Sequence, residues 1–267
     1  MRPPDDVELP APEFPPELEW LNVPFVRMDK LLGSGAALVE FWDFARVNSL
    51  RTLPYLQAWH ERYASAGLRV VGVHSPGYSC SRDRDAAAAA VERLEIGYPV
   101  LLDPGLELWR AYGNRGWPGR YLFDRRGLLR DVHYGEGDYQ AAELAIQDVL
   151  REIDADLELP APLDPVRPED APGVRMAPQT ADVTLPGDRE RLELVRDWTE
   201  GEDYIEAADA GAAASVTFEA GSAWAVLSGD EIDPGPYETD GTVVAESPGL
   251  RLHGFQFTPA PPPGQPG

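Results

Sequence analysis

The chain has a single cysteine, Cys80, in 267 residues. No internal disulfide framework can form, and no pair of thiols exists to exchange electrons. Lysine is equally scarce: Lys30 stands alone, and nearly all positive charge is arginine. Positive charge as a whole is short, with 23 Lys and Arg against 46 Asp and Glu and a formal net charge of −23. That deficit argues against nucleic acid and anionic membrane surfaces as partners, because both reward basic patches. No stretch approaches the roughly 18–20 apolar residues that span a bilayer. The opening Met1-Arg2-Pro3-Pro4-Asp5-Asp6 lacks the apolar segment of a secretory signal. A soluble, cytoplasmic protein is therefore expected. His60, His74, His133 and His253 show no metal-ligand spacing, and no Cys/His or carboxylate cluster joins them. No phosphate-cradling Gly-rich loop is present. No Gly-x-Ser-x-Gly elbow makes a nucleophile of Ser75, Ser79 or Ser81 beside His74. Neither metal nor cofactor is expected.

A 43% apolar content is enough for a real core, and the length suits one ordinary domain and a smaller one. The chain is organised around residues 37–54. An apolar run, broken only by Glu40 and ending in Phe41-Trp42, reads as a buried strand. Val47, Leu50, Leu53 and Leu56 then recur every three residues, as on a helix. The turn between them is where α/β sheets present ligands and reactive groups. Further on, the pattern predicts a helix over 47–65, a strand over 68–74 and an alanine-rich helix over 82–94. A strand-like run over 98–103 and a short helix over 105–112 follow. A hairpin of 120–124 and 128–134 precedes a helix from Asp138 to about Ile153. Strands alternating with helices, then a hairpin, imply a mixed sheet covered by helices.

Phe41-Trp42 before the turn and Leu50-Arg51-Thr52-Leu53-Pro54 after it resemble the thioredoxin superfamily, more closely its TlpA-like branch. The resemblance implies an α/β thioredoxin-like fold, a mixed central sheet flanked by helices. In that family Cys-x-x-Cys lies between these two segments. Here the two positions read Arg46 and Ser49. A guanidinium stays protonated and cannot attack a disulfide, and a serine can neither attack usefully nor resolve one. The resemblance further implies a cis Trp117–Pro118 bond facing the turn, leaving the Trp117 backbone to pair with an extended partner. Trp42 would support the site. Glu40 falls where the family holds a buried acid. Its plain reading is a carboxyl hydrogen-bonded near Ser49 or to water. Arg46 is read as a solvated surface arginine; the alternative is an anion or carboxylate-partner site, since the helix start beside it offers free N–H groups. Cys80, near Arg82 and Arg84, is read as a loop cysteine, with a thiol-dependent peroxidase or oxidoreductase as the alternative.

Proline-rich segments mark the expected boundaries: an extended lead-in over 1–24, a thioredoxin-like domain over 25–153, a linker over 154–182, a small β-sandwich over 183–259 and a disordered tail over 260–267. Alternation at 215–219 and 250–257 predicts strands wet on one face. The later strands loosely resemble the jelly-roll domain of longer DipZ-type relatives, which implies carbohydrate binding. Trp198 and Trp224 would form a stacking platform or else pack in the core. The function expected is a redox-inactive binding module. It would take a peptide, protein or anion in a groove formed by Arg46, Ser49 and Trp117-Pro118.

Overall fold

The computed structural model describes residues 8–33 and 35–260. The first seven residues of the expected lead-in and residues 261–267 of the expected tail lie outside them. The chain forms two compact units, neither continuous in sequence. Of the described residues, the first takes those up to Asp43, 48–76 and 88–172; the second takes 44–47, 77–87 and those from Gly173 on.

The first unit is built on β2 (Ala36–Trp42), in which all seven residues are buried. β3 (Leu68–His74) pairs with it in parallel and β5 (Gly119–Phe123) antiparallel, placing Val39 between Val71 and Tyr121. With β1 (Trp20–Leu21), β4 (Val100–Leu102) and β6 (Leu129–Tyr134), the sheet runs β1-β4-β3-β2-β5-β6. The β2, β3 and β4 strands are parallel and β1, β5 and β6 antiparallel to their neighbours. Such a mixed sheet needs helices on its faces. They are α1 (Met28–Leu32), α2 (Val47–Tyr63), α3 (Arg84–Arg93), α4 (Glu107–Ala111) and α5 (Tyr139–Ile153). Ala37, Val39 and Phe41 point into one apolar cluster with Val71, Val73 and Phe123. Strand alternation sends Leu38, Glu40 and Trp42 to the other face. A Cβ at Gly72 would meet the Trp42 indole nitrogen at 3.0 Å and the Tyr98 ring at 3.1 Å, so glycine there lets both rings lie close against β3.

Within the lead-in, residues 12–22 resemble the family's approach segment, whose aromatics tuck against the sheet. Here Phe14 and Trp20 are buried in the cluster of β2, and β1 pairs with β4. One boundary differs from the sequence pattern: the proline-rich stretch after α5 is not a plain linker. The backbone N–H of Val166 donates to Tyr55 Oη at 2.7 Å, and Leu163 N–H to Glu143 Oε2 at 2.8 Å. Gln147 donates to the Pro160 carbonyl at 2.8 Å, and Arg51 pairs with Glu169 at 2.9 Å. Residues up to Pro172 are thus a strap on the first unit. Prolines fix an extended backbone but leave its carbonyls and the intervening N–H groups free to be held.

The second unit is an antiparallel sandwich. One sheet contains β7 (Val183–Thr184), β9 (Trp198–Glu200), β10 (Ile205–Ala207), β12 (Ser222–Gly229), β13 (Ile232–Thr239) and β15 (Arg251–Thr258). The other is β14-β11-β8, formed by Thr242–Val244, Ala213–Ser215 and Glu193–Val195. Inward residues of both sheets, among them Ala214, Val243, Ala225 and Phe255, share one core. The β15 strand departs from its predicted one wet face: every residue after Arg251 is buried. The strand predicted at 215–219 ends at Ser215. No helix among the described residues is long and apolar enough to cross a membrane.

Candidate functional site

The turn after β2 is the place where this architecture would present a reactive group. Its residues are divided between the two units. Glu40, Trp42, Ser49, Trp117 and Pro118 belong to the first, and Arg46 and Cys80 to the second.

In the first unit Ser49 is buried, and its hydroxyl accepts the backbone N–H of Asp43 at 3.3 Å. It therefore ties the first turn of α2 back to the end of β2. Asp43 lies 3.6 Å from His74 Nε2, and the His74 ring meets Trp42 edge-on at 5.2 Å. The Trp117–Pro118 peptide is cis. The Trp117 indole donates to the Ser75 carbonyl at 2.7 Å and packs 4.2 Å from Trp109.

Glu40 does not make the hydrogen bond expected near Ser49. Neither of its carboxylate oxygens has a hydrogen-bond partner, and the residue is wholly buried. Burial pushes its pKa up to about 8, against the pull of Arg120. Arg120 faces it across the strand pair but aims one nitrogen at the Gly137 carbonyl, at 2.7 Å. Ser49 is unavailable because it is engaged with Asp43.

In the second unit Gln256 of β15 reaches the segment 44–47. Its Oε1 accepts the Val47 N–H at 2.8 Å, and its amide donates to the Ala45 carbonyl at 2.8 Å. The same amide approaches Tyr78 Oη at 3.4 Å. The free N–H expected at the start of α2 is therefore taken, because a buried amide side chain satisfies both backbone groups at once. Arg46 is not a solvated surface arginine: its guanidinium lies 4.3 Å above the Tyr78 ring.

Next to it, Ser79 donates through both its N–H and its hydroxyl to Asp203. Asp203 also lies 3.2 Å from His253 Nδ1, and His253 Nε2 is 2.8 Å from Ser228 Oγ. The serine–histidine–aspartate order matches an acyl-transfer relay. Its burial excludes that use: His253 is 1% and Ser228 9% exposed, leaving no open face for an acyl group. Burial pushes Asp203 up, but bonds from His253 and Ser79 prevail and hold it at about 2. Cys80 sits half-buried in the 3-10 turn Ser79–Ser81.

Of the two tryptophans read as core residues or a stacking platform, Trp198 takes the core position, while Trp224 is half-buried with its indole donating to Ser222 Oγ at 2.9 Å. Trp198 is 6% exposed and packs in the sandwich core, with its indole donating to the Ala213 carbonyl at 3.3 Å. Among the described residues no group of His, Cys, Asp and Glu could hold a metal ion. Gln256, Asp203 and His253 were missed by the sequence reading. The one signal was polar residues between the aromatics of 250–257, which alternation assigns to solvent.

A central mixed sheet with a βαβ start and a terminal hairpin defines a thioredoxin-like fold. Residues 10–132 match the sequence model of the AhpC/TSA family. The chain is 33% identical over 172 residues to Protein DipZ of Mycobacterium bovis, an alignment taking in 64% of this chain and 25% of that protein. It is 26% identical over 126 residues to the thiol-disulfide oxidoreductase ResA of Halalkalibacterium halodurans, covering 47% of this chain and 68% of ResA. The solution structure of a thioredoxin-like protein in the oxidized form superposes with a TM-score of 0.50. It is 28% identical and covers 54% of this chain and 97% of its own. The chain thus spans a quarter of the length of the DipZ proteins it matches.

Proposed function

We propose that this chain is a thioredoxin-like module that works by contact and not by electron transfer. The observation that carries the reading is the pair Arg46 and Ser49 at the two positions where the resembling family carries its dithiol. Thiol–disulfide exchange forms a mixed disulfide with one sulfur and releases it with a second. This chain has one sulfur of that kind, Cys80, on a different loop. The oxidoreductase activity named for ResA is therefore not carried over. Ser49 supports the reading by accepting the Asp43 N–H, and Gln256 by holding the Val47 N–H and the Ala45 carbonyl. A protein or peptide is the partner class. An anion at the start of α2 is no longer part of the reading, since Gln256 is already there. Carbohydrate is not part of it either, with Trp198 inside the core.

The test is reduction of insulin disulfides by dithiothreitol, and peroxide consumption with the same thiol, with wild type and C80S. Neither protein should accelerate either reaction above the thiol alone. Turnover by the wild type that C80S abolishes would overturn the reading in favour of a one-cysteine enzyme.

A further inference from the structure

The β14-β11-β8 sheet leaves its outer face uncovered in a specific way. Leu194, Ala214 and Val243 point into the sandwich core. Alternation sends their neighbours outward. In register, Val195 faces Ala213, and Ala213 faces Val244, so the three form one row across the sheet. Val195 and Val244 are each 57% exposed, the largest exposure of any large apolar residue among the described residues. The flanking outward row, Glu193, Ser215 and Thr242, is polar. Single exposed valines need no explanation, but two joined across a sheet beside a cavity do.

Val244 is also a wall of a cleft of about 500 Å³. Its apolar floor is Leu227, Ile232, Val243 and Leu250, and its rim carries Asp230, Glu231 and Glu246. The volume lies within the roughly 300–1,000 Å³ of small-ligand pockets. Ser247 donates to Glu231 at 3.2 Å and steadies that carboxylate. Arg251, whose charge interacts with Asp230, is committed to Glu206 at 2.7 Å.

We propose that this row and cleft bind an extended peptide segment that alternates basic and apolar residues. The apolar side chains would lie on the valine row and enter the cleft, and the cations would meet the rim carboxylates. The lining contains no lysine or arginine to repel them. It contains no aromatic ring either, which disfavours a sugar that needs a stacking face. A second copy of a chain with a formal net charge of −23 would be repelled at an acidic rim. The proposal does not depend on the loss of the dithiol: its residues lie in the second unit, and its test reads binding and not turnover.

The test uses the full chain and a short fluorescein-labelled peptide of alternating arginine and leucine, followed by fluorescence anisotropy. Peptides alternating glutamate with leucine, and arginine with glycine, are the comparisons. Only the arginine–leucine peptide should bind saturably, more weakly as salt rises. V195S/V244S and, separately, D230N/E231Q/E246Q should each weaken it about tenfold, with unchanged circular dichroism. The positions are exposed or at a rim, and the second set leaves the apolar packing untouched. Equal binding of the glutamate–leucine peptide would overturn the proposal. So would affinity that both variants leave within about twofold of wild type. Loss of a dimer in V195S/V244S would reassign the face to self-association and overturn it as well.

Discussion

Glu40 in the first unit and Asp203 in the second are both carboxyls drawn in from solvent, and their surroundings move them in opposite directions. Glu40 lies in the central strand with no hydrogen-bond donor at either oxygen, and burial raises its pKa to about 8. Asp203 receives Ser79 twice and faces His253, and it is held at about 2. The lesson concerns co-adaptation. A carboxyl buried without donors is held neutral and penalises the fold when it ionises, whereas one buried with donors ties segments together. In the first unit Glu40 is buried without such donors. In the second, Gln256 and Asp203 are fasteners that tie the segments 44–47 and 77–87 to the later strands.

The largest expected effect tests the Glu40 side of this contrast. The folded state holds the Glu40 proton up to about 8, and the unfolded chain releases it near 4.5. Stability should therefore fall as pH rises through that window and level off above it, a loss on the order of 5 kcal/mol. Urea unfolding of wild type and E40Q at pH 5 and pH 9 checks this, since E40Q should not show the fall. Equal pH slopes in the two proteins would break the contrast.

A smaller effect tests the fasteners. Q256A leaves the Val47 N–H and the Ala45 carbonyl without their partner. It should cost about 2 kcal/mol in thermal unfolding and speed hydrogen exchange at the Val47 amide. The smallest concerns Asp203, whose pKa lies below its ordinary 3.8. Its contribution is present above 3.8 and lost as pH falls through about 2. The group is partly open to solvent, so the amount is about 1 kcal/mol. Comparing the acid unfolding of wild type and D203N between pH 5 and pH 2 sharpens the contrast, since only wild type should lose that increment.

Much of the first unit was legible in the chain. The apolar run into Phe41-Trp42 gave β2, and the spacing of Val47, Leu50, Leu53 and Leu56 gave α2. These signals are local, and local periodicity is what a sequence records. The fasteners were not legible, because they join residues far apart along the chain. Gln256 reaches Val47 over 209 positions, and Asp203 reaches Ser79 over 124. The polar residues of β15 followed the pattern of a solvated face, and nothing local announced that residues 44–47 and 77–87 would share its unit. The strap failed for another reason. Its prolines carry the composition of a spacer, while the groups that hold it, Tyr55, Glu143 and Gln147, lie on helices whose polar residues read as ordinary surface.

Two strips of early sequence, 44–47 and 77–87, complete a body whose remainder begins at residue 173. A gene fragment starting at that junction would encode an unfinished article, with an amide and an imidazole bared where they are now enclosed. During synthesis the strips emerge long before the strands that receive them, so the later body must close around parts already made. Any recombination that moved it elsewhere would have to carry both strips along, which ties the inheritance of the two halves together.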